Sequence, residues 1–247
     1  MIMLNPNVIQ LRGTIFLPVV IGYSSANAER YRSLLNGASI QPVQPTAIIP
    51  IAPIGLQINQ EVSLQDNGPW QMVSGNTRII FFQNKIDIIQ DIITPKDTAE
   101  NSFCKFCAET FSRILELGST TSNRIAFAPT YAKDPDDSFK SSDFWNGVLK
   151  HVSFKGSNIE EVNIICNRKV GRSINGNPYT VNFRSVLSDA KRNLPSGLVL
   201  EGSIMISFDI NTAIIPGQPF TFQAAEINDF FANAALWSNE FFENTLA

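Results

Sequence analysis

Cys104-Lys105-Phe106-Cys107 is a C-x-x-C pair, and with Cys166 and His151 the chain contains one set of four soft ligands for a tetrahedral zinc. Its setting argues for something plainer. The pair falls inside a run of helical periodicity with Cys107 on the apolar stripe, whereas structural zinc pairs sit on knuckle turns. The other two ligands would have to come from different strands. A thioredoxin-like redox pair needs the start of a helix after a strand, and Cys104 lies a turn or more inside one. The thiols are therefore expected to be buried and structural. His151 is the single histidine, so any Ser–His–Asp or Cys–His relay must use it. Its place between Lys150 and Val152 suggests a sheet face, and no G-x-S-x-G elbow accompanies it. Neither G-x-G-x-x-G nor G-x-x-x-x-G-K-[ST] occurs, so no phosphate cradle is indicated.

Carboxylates and cations add a second set of candidates. Asp134, Asp136 and Asp137 could hold a divalent cation, although three acids around Pro135 also make a solvated turn. Asp209 ends an apolar strand, and Glu160-Glu161 has no evident partner for acid–base work. Arg168, Lys169 and Arg172, with Lys191-Arg192 nearby, form either a solvated hairpin or a small anion patch. A ligand site in a crevice between two halves of the chain would draw on Arg124, His151, Arg168 and Asp209, since clefts between domains commonly hold ligands.

The elements that must position these residues follow from composition and periodicity. The chain has 247 residues, of which 44% are apolar and only 17% charged, with 18 phenylalanines. That is enough for an aromatic core without disulfides, and three cysteines cannot pair off completely. Nineteen basic and twenty-two acidic side chains leave a formal charge of −3 without a basic run, which argues against nucleic acid as a partner. Met1–Gln10 carries no Lys or Arg, and the apolar stretch Thr14–Tyr23 is broken by Pro18 and Gly22, so it reads as a core strand rather than a secretory signal. No stretch approaches the roughly twenty apolar residues that span a bilayer, and a cytoplasmic location without membrane contact is expected.

Val8–Tyr23 reads as a strand, and Ser24-Ser25 as the cap of a helix over Asn27–Leu35 that Asn36-Gly37 stops. Four prolines in Gln41–Pro53 restrict that stretch to a sheet edge or crossover. Leu56–Leu64 alternates as a half-buried strand, and Trp70–Val73, Thr77–Gln83 and Ile86–Asp91 form an antiparallel meander. Asp97-Thr98-Ala99-Glu100 has the form of a capping box. Phe103, Phe106, Cys107, Phe111, Ile114 and Leu117 then make the apolar stripe of a long helix that ends at Gly118. Arg124–Tyr131 is a further strand, and the polar run Lys133–Asp143 suggests a divide near Lys140. Beyond it, Gly147–Phe154, Glu161–Val170, Tyr179–Leu187 and Leu198–Ile210 read as strands, with Asn175-Gly176 at one reversal. A closing helix over Phe222–Leu246 places Ile227, Phe230, Phe231, Ala234, Trp237 and Phe241 on one stripe. The fold class is α+β, as two related lobes, 1–139 and 140–247, or one continuous domain. Each lobe is an antiparallel sheet backed by a long amphipathic helix.

Several landmarks occur in order along most of the chain: Trp70-Gln71-Met72-Val73-Ser74 before the Arg78–Gln83 strand, the Phe103–Leu117 helix, Asn123-Arg124-Ile125-Ala126-Phe127, and Met205-Ile206-Ser207-Phe208-Asp209-Ile210-Asn211-Thr212. In these the chain resembles a family of sporadically distributed, uncharacterised prokaryotic proteins of about this length. It departs from that pattern at Ala128-Pro129-Thr130-Tyr131, where an Arg-Tyr type of pair is usual, and at Ala234-Ala235-Leu236-Trp237, where a histidine is usual. The resemblance implies the two-lobed layout and carries no activity. Secretory-chaperone-like sheets backed by a helix are a looser analogy of fold alone.

With no catalytic constellation, the leading expectation is a non-enzymatic protein that uses no cofactor. It would bind a protein partner, or a second copy as a dimer, through a sheet edge or a sheet–helix groove. The rivals are an enzyme or small-molecule binder with the inter-lobe site, and an accessory component of a mobile defence or toxin-neutralising system, which the family distribution suggests.

Overall fold

The computed structural model describes residues 6–43, 63–136, 138–148, 162–193, 199–215, 217 and 220–246. The chain opens with β1 (Asn7–Phe16), which stops two residues before Pro18, where a missing N–H would break a sheet ladder. Ser24 caps α1 (Ser25–Tyr31) by accepting from the Asn27 N–H at 3.0 Å. A 3₁₀ turn over Arg32–Leu34 follows, and Gly37 takes the left-handed conformation, φ 69°, that ends it. β2 (Ser39–Pro42) holds the first of the four prolines at the edge of the sheet. The rest of the proline-rich run and the strand expected at Leu56–Leu64 lie outside the described residues, apart from its last two positions, Ser63 and Leu64. β3 (Trp70–Ser74), β4 (Thr77–Phe81) and β5 (Lys85–Pro95) form the expected meander, and α2 (Lys96–Gly118) runs back over it.

After β6 (Arg124–Lys133) comes α3 (Ser141–Val148), a helix that overlaps both the expected divide and the start of the strand expected from Gly147. Its physical reason is the adjacent pair Phe144 and Trp145. Both rings are buried, packed edge to face at 4.9 Å, which a helical turn allows and a strand, sending neighbours to opposite faces, does not. β7 (Asn163–Ile174), β8 (Asn177–Asn193) and β9 (Val199–Thr212) form a second meander. Asn175 and Gly176, φ 49° and 78°, turn the first hairpin. α4 (Ala224–Leu246) closes the chain.

These strands form one nine-stranded sheet in the order β2-β3-β4-β5-β1-β6-β9-β8-β7, antiparallel at every step. Two sets of elements, β1 to α2 and β6 to α4, repeat one order, a strand, a short helix, a three-strand meander and a 23-residue helix, with β2 as an addition to the first; the repeat starts anew at β6, ahead of the divide expected near Lys140. They do not have separate sheets. β1 and β6 pair with each other at the centre, and β6 also pairs with β9, Phe127 opposite Ile210 and Tyr131 opposite Ile206. The second set therefore continues the ladder of the first.

Both long helices lie on one face and pack against each other, α2 over β1 and β5 and α4 over β6, β7 and β9. In α4 all six residues of the expected stripe are buried. In α2 Phe103, Cys107, Phe111 and Ile114 are buried, while Phe106 and Leu117 are only partly covered. Rings cross the helix pair, Phe111 to Phe231 at 5.5 Å, and stack within the first meander, Trp70 on Phe81 at 4.1 Å. Gly13 of β1 sits beneath both helices. A Cβ there would lie 2.6 Å from Cys107 Sγ, 3.2 Å from Phe111 and 3.3 Å from Phe231.

Gly13→Ala should therefore overpack the core and lower stability by about 1–3 kcal/mol, seen as a Tm several degrees lower. The loss should be smaller in a Cys107→Ala background, which removes the nearest atom. Equal losses in the two backgrounds would contradict the contact.

Candidate functional site

Strand alternation divides the sheet into two faces of different character. Leu11, Gly13 and Ile15 of β1 and Phe183 and Leu187 of β8 face the helices and are buried. The opposite face carries Gln10 and Arg12 of β1, Arg184 and Val186 of β8, and Ser207 and Asp209 of β9, half-buried or exposed. Along β6, between them, that face is built from Ala126, Ala128, Thr130 and Ala132. Small side chains on a central strand flanked by long ones leave a trench. A cavity of about 220 Å³ lies on it, lined by Gln10, Arg12, Thr130, Arg184, Ser207 and Asp209 among others. At the same place the β6–β9 pairing skips Ala128 and Pro129, the proline having no N–H to donate.

The electrostatics of the trench are unbalanced. Arg184 and Asp209 are direct cross-strand neighbours, and Arg12 stands opposite Ala128 across the β1–β6 pair. Among the described residues, none of these three charged side chains takes part in an ion pair. Other charges on this face are matched. Asp87 accepts from Lys85 at 2.7 Å and from Thr14 at 2.7 Å, and Asp91 accepts from Arg78 at 2.7 Å. Further along, Arg124 donates to Asn211 Oδ1 at 2.8 Å and lies over the Phe16 ring. Arg124 Nε and the Nδ2 of the buried Asn211 have no hydrogen-bond partner among the described residues.

Of the four residues expected in an inter-lobe site, Arg124 and Asp209 share this face. Arg168 does not. It projects from β7 on the helix side, over the rings of Phe183 at 6.0 Å and Phe241 at 5.1 Å. His151 lies outside the described residues, so the expected zinc set reduces to its cysteines. Cys104 and Cys107 are buried in α2, and Cys166 is exposed on β7. Burial, with the Glu100 charge beside it, pushes the Cys104 thiol far up, and burial does the same to Cys107, so both stay protonated. Among the described residues no three His, Cys, Asp or Glu side chains are grouped to hold a metal ion. Asp134 accepts from Ser203 at 2.7 Å, and Asp136 is engaged by Lys133 and by the backbone N–H of Ser138 at 2.8 Å. In the basic cluster, Arg172 pairs with Glu240 at 2.6 Å and Lys191 with Glu201 at 2.7 Å.

Glu100 has a long-range partner in addition to its place in the expected capping box. It is buried in the first turns of α2, where its Oε1 accepts from the Tyr131 hydroxyl at 2.6 Å, and the Ser238 hydroxyl lies 2.7 Å from the same phenol oxygen. One side chain each from α2, β6 and α4 thus meets in the core. Burial and the Glu100 charge hold the Tyr131 phenol well above its ordinary range.

The two edges of the sheet differ. β2 offers four residues ending in proline, whereas β7 offers twelve, exposed over most of their length, with Ile165 54% exposed. Arg168 and Lys169 make no ion pair among the described residues. No described helix is long and apolar enough to cross a membrane. No protein-family model matches the chain, and no curated protein matches it significantly.

Two outcomes follow from the thiols and the phenol. A thiol reagent should modify one cysteine per native chain, Cys166, and all three after unfolding; rapid native modification of two or three would contradict the burial. The buried acids bind their protons more tightly folded than unfolded. Their contribution to stability is complete below the unfolded values, about 8.5 for a thiol and 10 for a phenol, and is lost as pH rises beyond them. Urea midpoints should be level near pH 7 to 8 and fall above about pH 8.5. A midpoint unchanged to about pH 10.5 would contradict this.

Proposed function

We propose that this is a non-enzymatic binding protein that receives an extended protein segment at β7, the terminal strand of the sheet among the described residues. The observation that carries the reading is the length and exposure of that terminal strand, twelve residues with a burial pattern exposed at eight of them. A strand at a sheet edge presents unpaired N–H and C=O groups that pair with an incoming chain, while alternate side chains supply selectivity. Charge sets the partner's chemistry. Arg168 on the helix face and Lys169 on the opposite face are both exposed, so a matching segment carries an acidic residue on each of its faces. Self-pairing in registers centred on Arg168 to Val170 would place these cations against each other or against Arg172, which favours an acidic partner over a second copy there. The repeated order of elements supports an internal duplication, and the ordered landmarks support membership of the prokaryotic family they resemble. A cytoplasmic location belongs to the same proposal.

The selective exposure of Cys166 provides the test. A fluorophore on Cys166 should report saturable binding of a synthetic strand peptide alternating Glu and Val, weakened by salt. Reversing Arg168 and Lys169 to Glu should weaken that binding about tenfold, at up to about 1 kcal/mol per cross-strand pair. A label that never responds, or a response unchanged by both reversals in a folded protein, would overturn the proposal.

A further inference from the structure

We propose that the trench on the sheet face opposite the long helices is a separate site for a small acidic α-amino acid. It lies on β1, β6, β8 and β9 and stands or falls independently of the edge strand. Three features point to such a ligand. The cavity, about 220 Å³, is the size of roughly seven waters at liquid density, which suits a metabolite of about ten heavy atoms rather than a polymer. Its charged lining is two arginines and one aspartate, none ion-paired among the described residues, and each guanidinium can take a carboxylate through two N–H groups. A ligand of complementary pattern has two carboxylates and one ammonium, the carboxylates on Arg12 and Arg184 and the ammonium on Asp209.

The remaining lining is suited to the same task. Ser207 donates to Thr130 across β9 and β6 at 3.4 Å, which leaves the Thr130 hydroxyl to donate to a carboxylate. The apparent misfit between Arg184 and Asp209 also acquires a reason. Directly opposed in register but not ion-paired, they are free to hold opposite ends of a dipolar molecule. The alanines of β6 and the skipped pairing at Ala128 and Pro129 leave the room.

Isothermal titration with three probes tests this: L-glutamate, glutarate, which lacks the ammonium, and L-alanine, which lacks the second carboxylate. Glutamate should bind tightest, and Arg12→Gln and Arg184→Gln should each weaken it roughly ten- to hundredfold, the loss expected for a charge-assisted hydrogen-bonded contact. Asp209→Asn should abolish the preference for glutamate over glutarate without weakening glutarate. Circular dichroism and the Cys166 label confirm that each variant is folded. The proposal is overturned if wild type binds none of the three, if alanine binds as well as glutamate, if inorganic phosphate displaces glutamate at equal concentration, or if binding survives both arginine variants.

Discussion

The structure depends on the close approach of two helices to one strand at Gly13. Because that position has no side chain, Cys107 and Phe111 of α2 and Phe231 of α4 descend together onto β1, the strand that pairs with β6 at the middle of the sheet. The helices are thereby set side by side over the junction between the two meanders. Tyr131 of β6 is fixed between them by Glu100 and Ser238, a polar staple within an otherwise aromatic core. Removing either carboxylate or phenol would leave its partner buried without that bond, which is why a polar group is held there at all.

With both long helices on one side, the other side of the sheet is left to its alternating polar positions. Long residues on β1, β8 and β9 stand around the small ones of β6, and the proline in β6 loosens the ladder at the same point. The trench is thus a consequence of side-chain size on adjacent strands. The free edge has a similar origin. β2 is cut short by Pro42, whereas β7 holds no proline, and among the described residues the sheet ends there in twelve residues with cations on both faces.

Much of the local structure could be read from the chain. Alternation placed most of the strands, Asn175-Gly176 marked a hairpin, and the apolar spacing from Ile227 to Phe241 marked the buried side of α4. What local patterns left open depends on distant pairing. The contact of β6 with β9 joins residues about eighty apart and carries both meanders in one sheet, and no periodicity within either strand encodes it. Glu100 was read only locally, in a capping box, and its bond to Tyr131, thirty-one residues on, has no local signal. The segment at α3 is short, and a brief apolar run does not separate helix from strand.

The site was legible only in part for the same reason. Asp209 and Arg124 attracted notice as charges beside apolar strands, but Arg12 and Arg184 look like ordinary wet positions of alternating strands. Their meaning lies in cross-strand neighbours contributed from opposite ends of the chain. The signal within reach was the row of small residues at alternate positions of β6, which announces a furrow before its walls are known.

That the sheet is a single body with β7 open at its edge is most directly tested by residue-resolved amide hydrogen exchange. An open β7 predicts slow exchange throughout β1, β6 and β9 and, within β7, slow exchange only at the amides that bond to β8, the outward-facing ones exchanging quickly. Uniform protection along β7 equal to that of β6 would show the edge covered and contradict its role, and fast exchange throughout β9 would contradict the shared sheet.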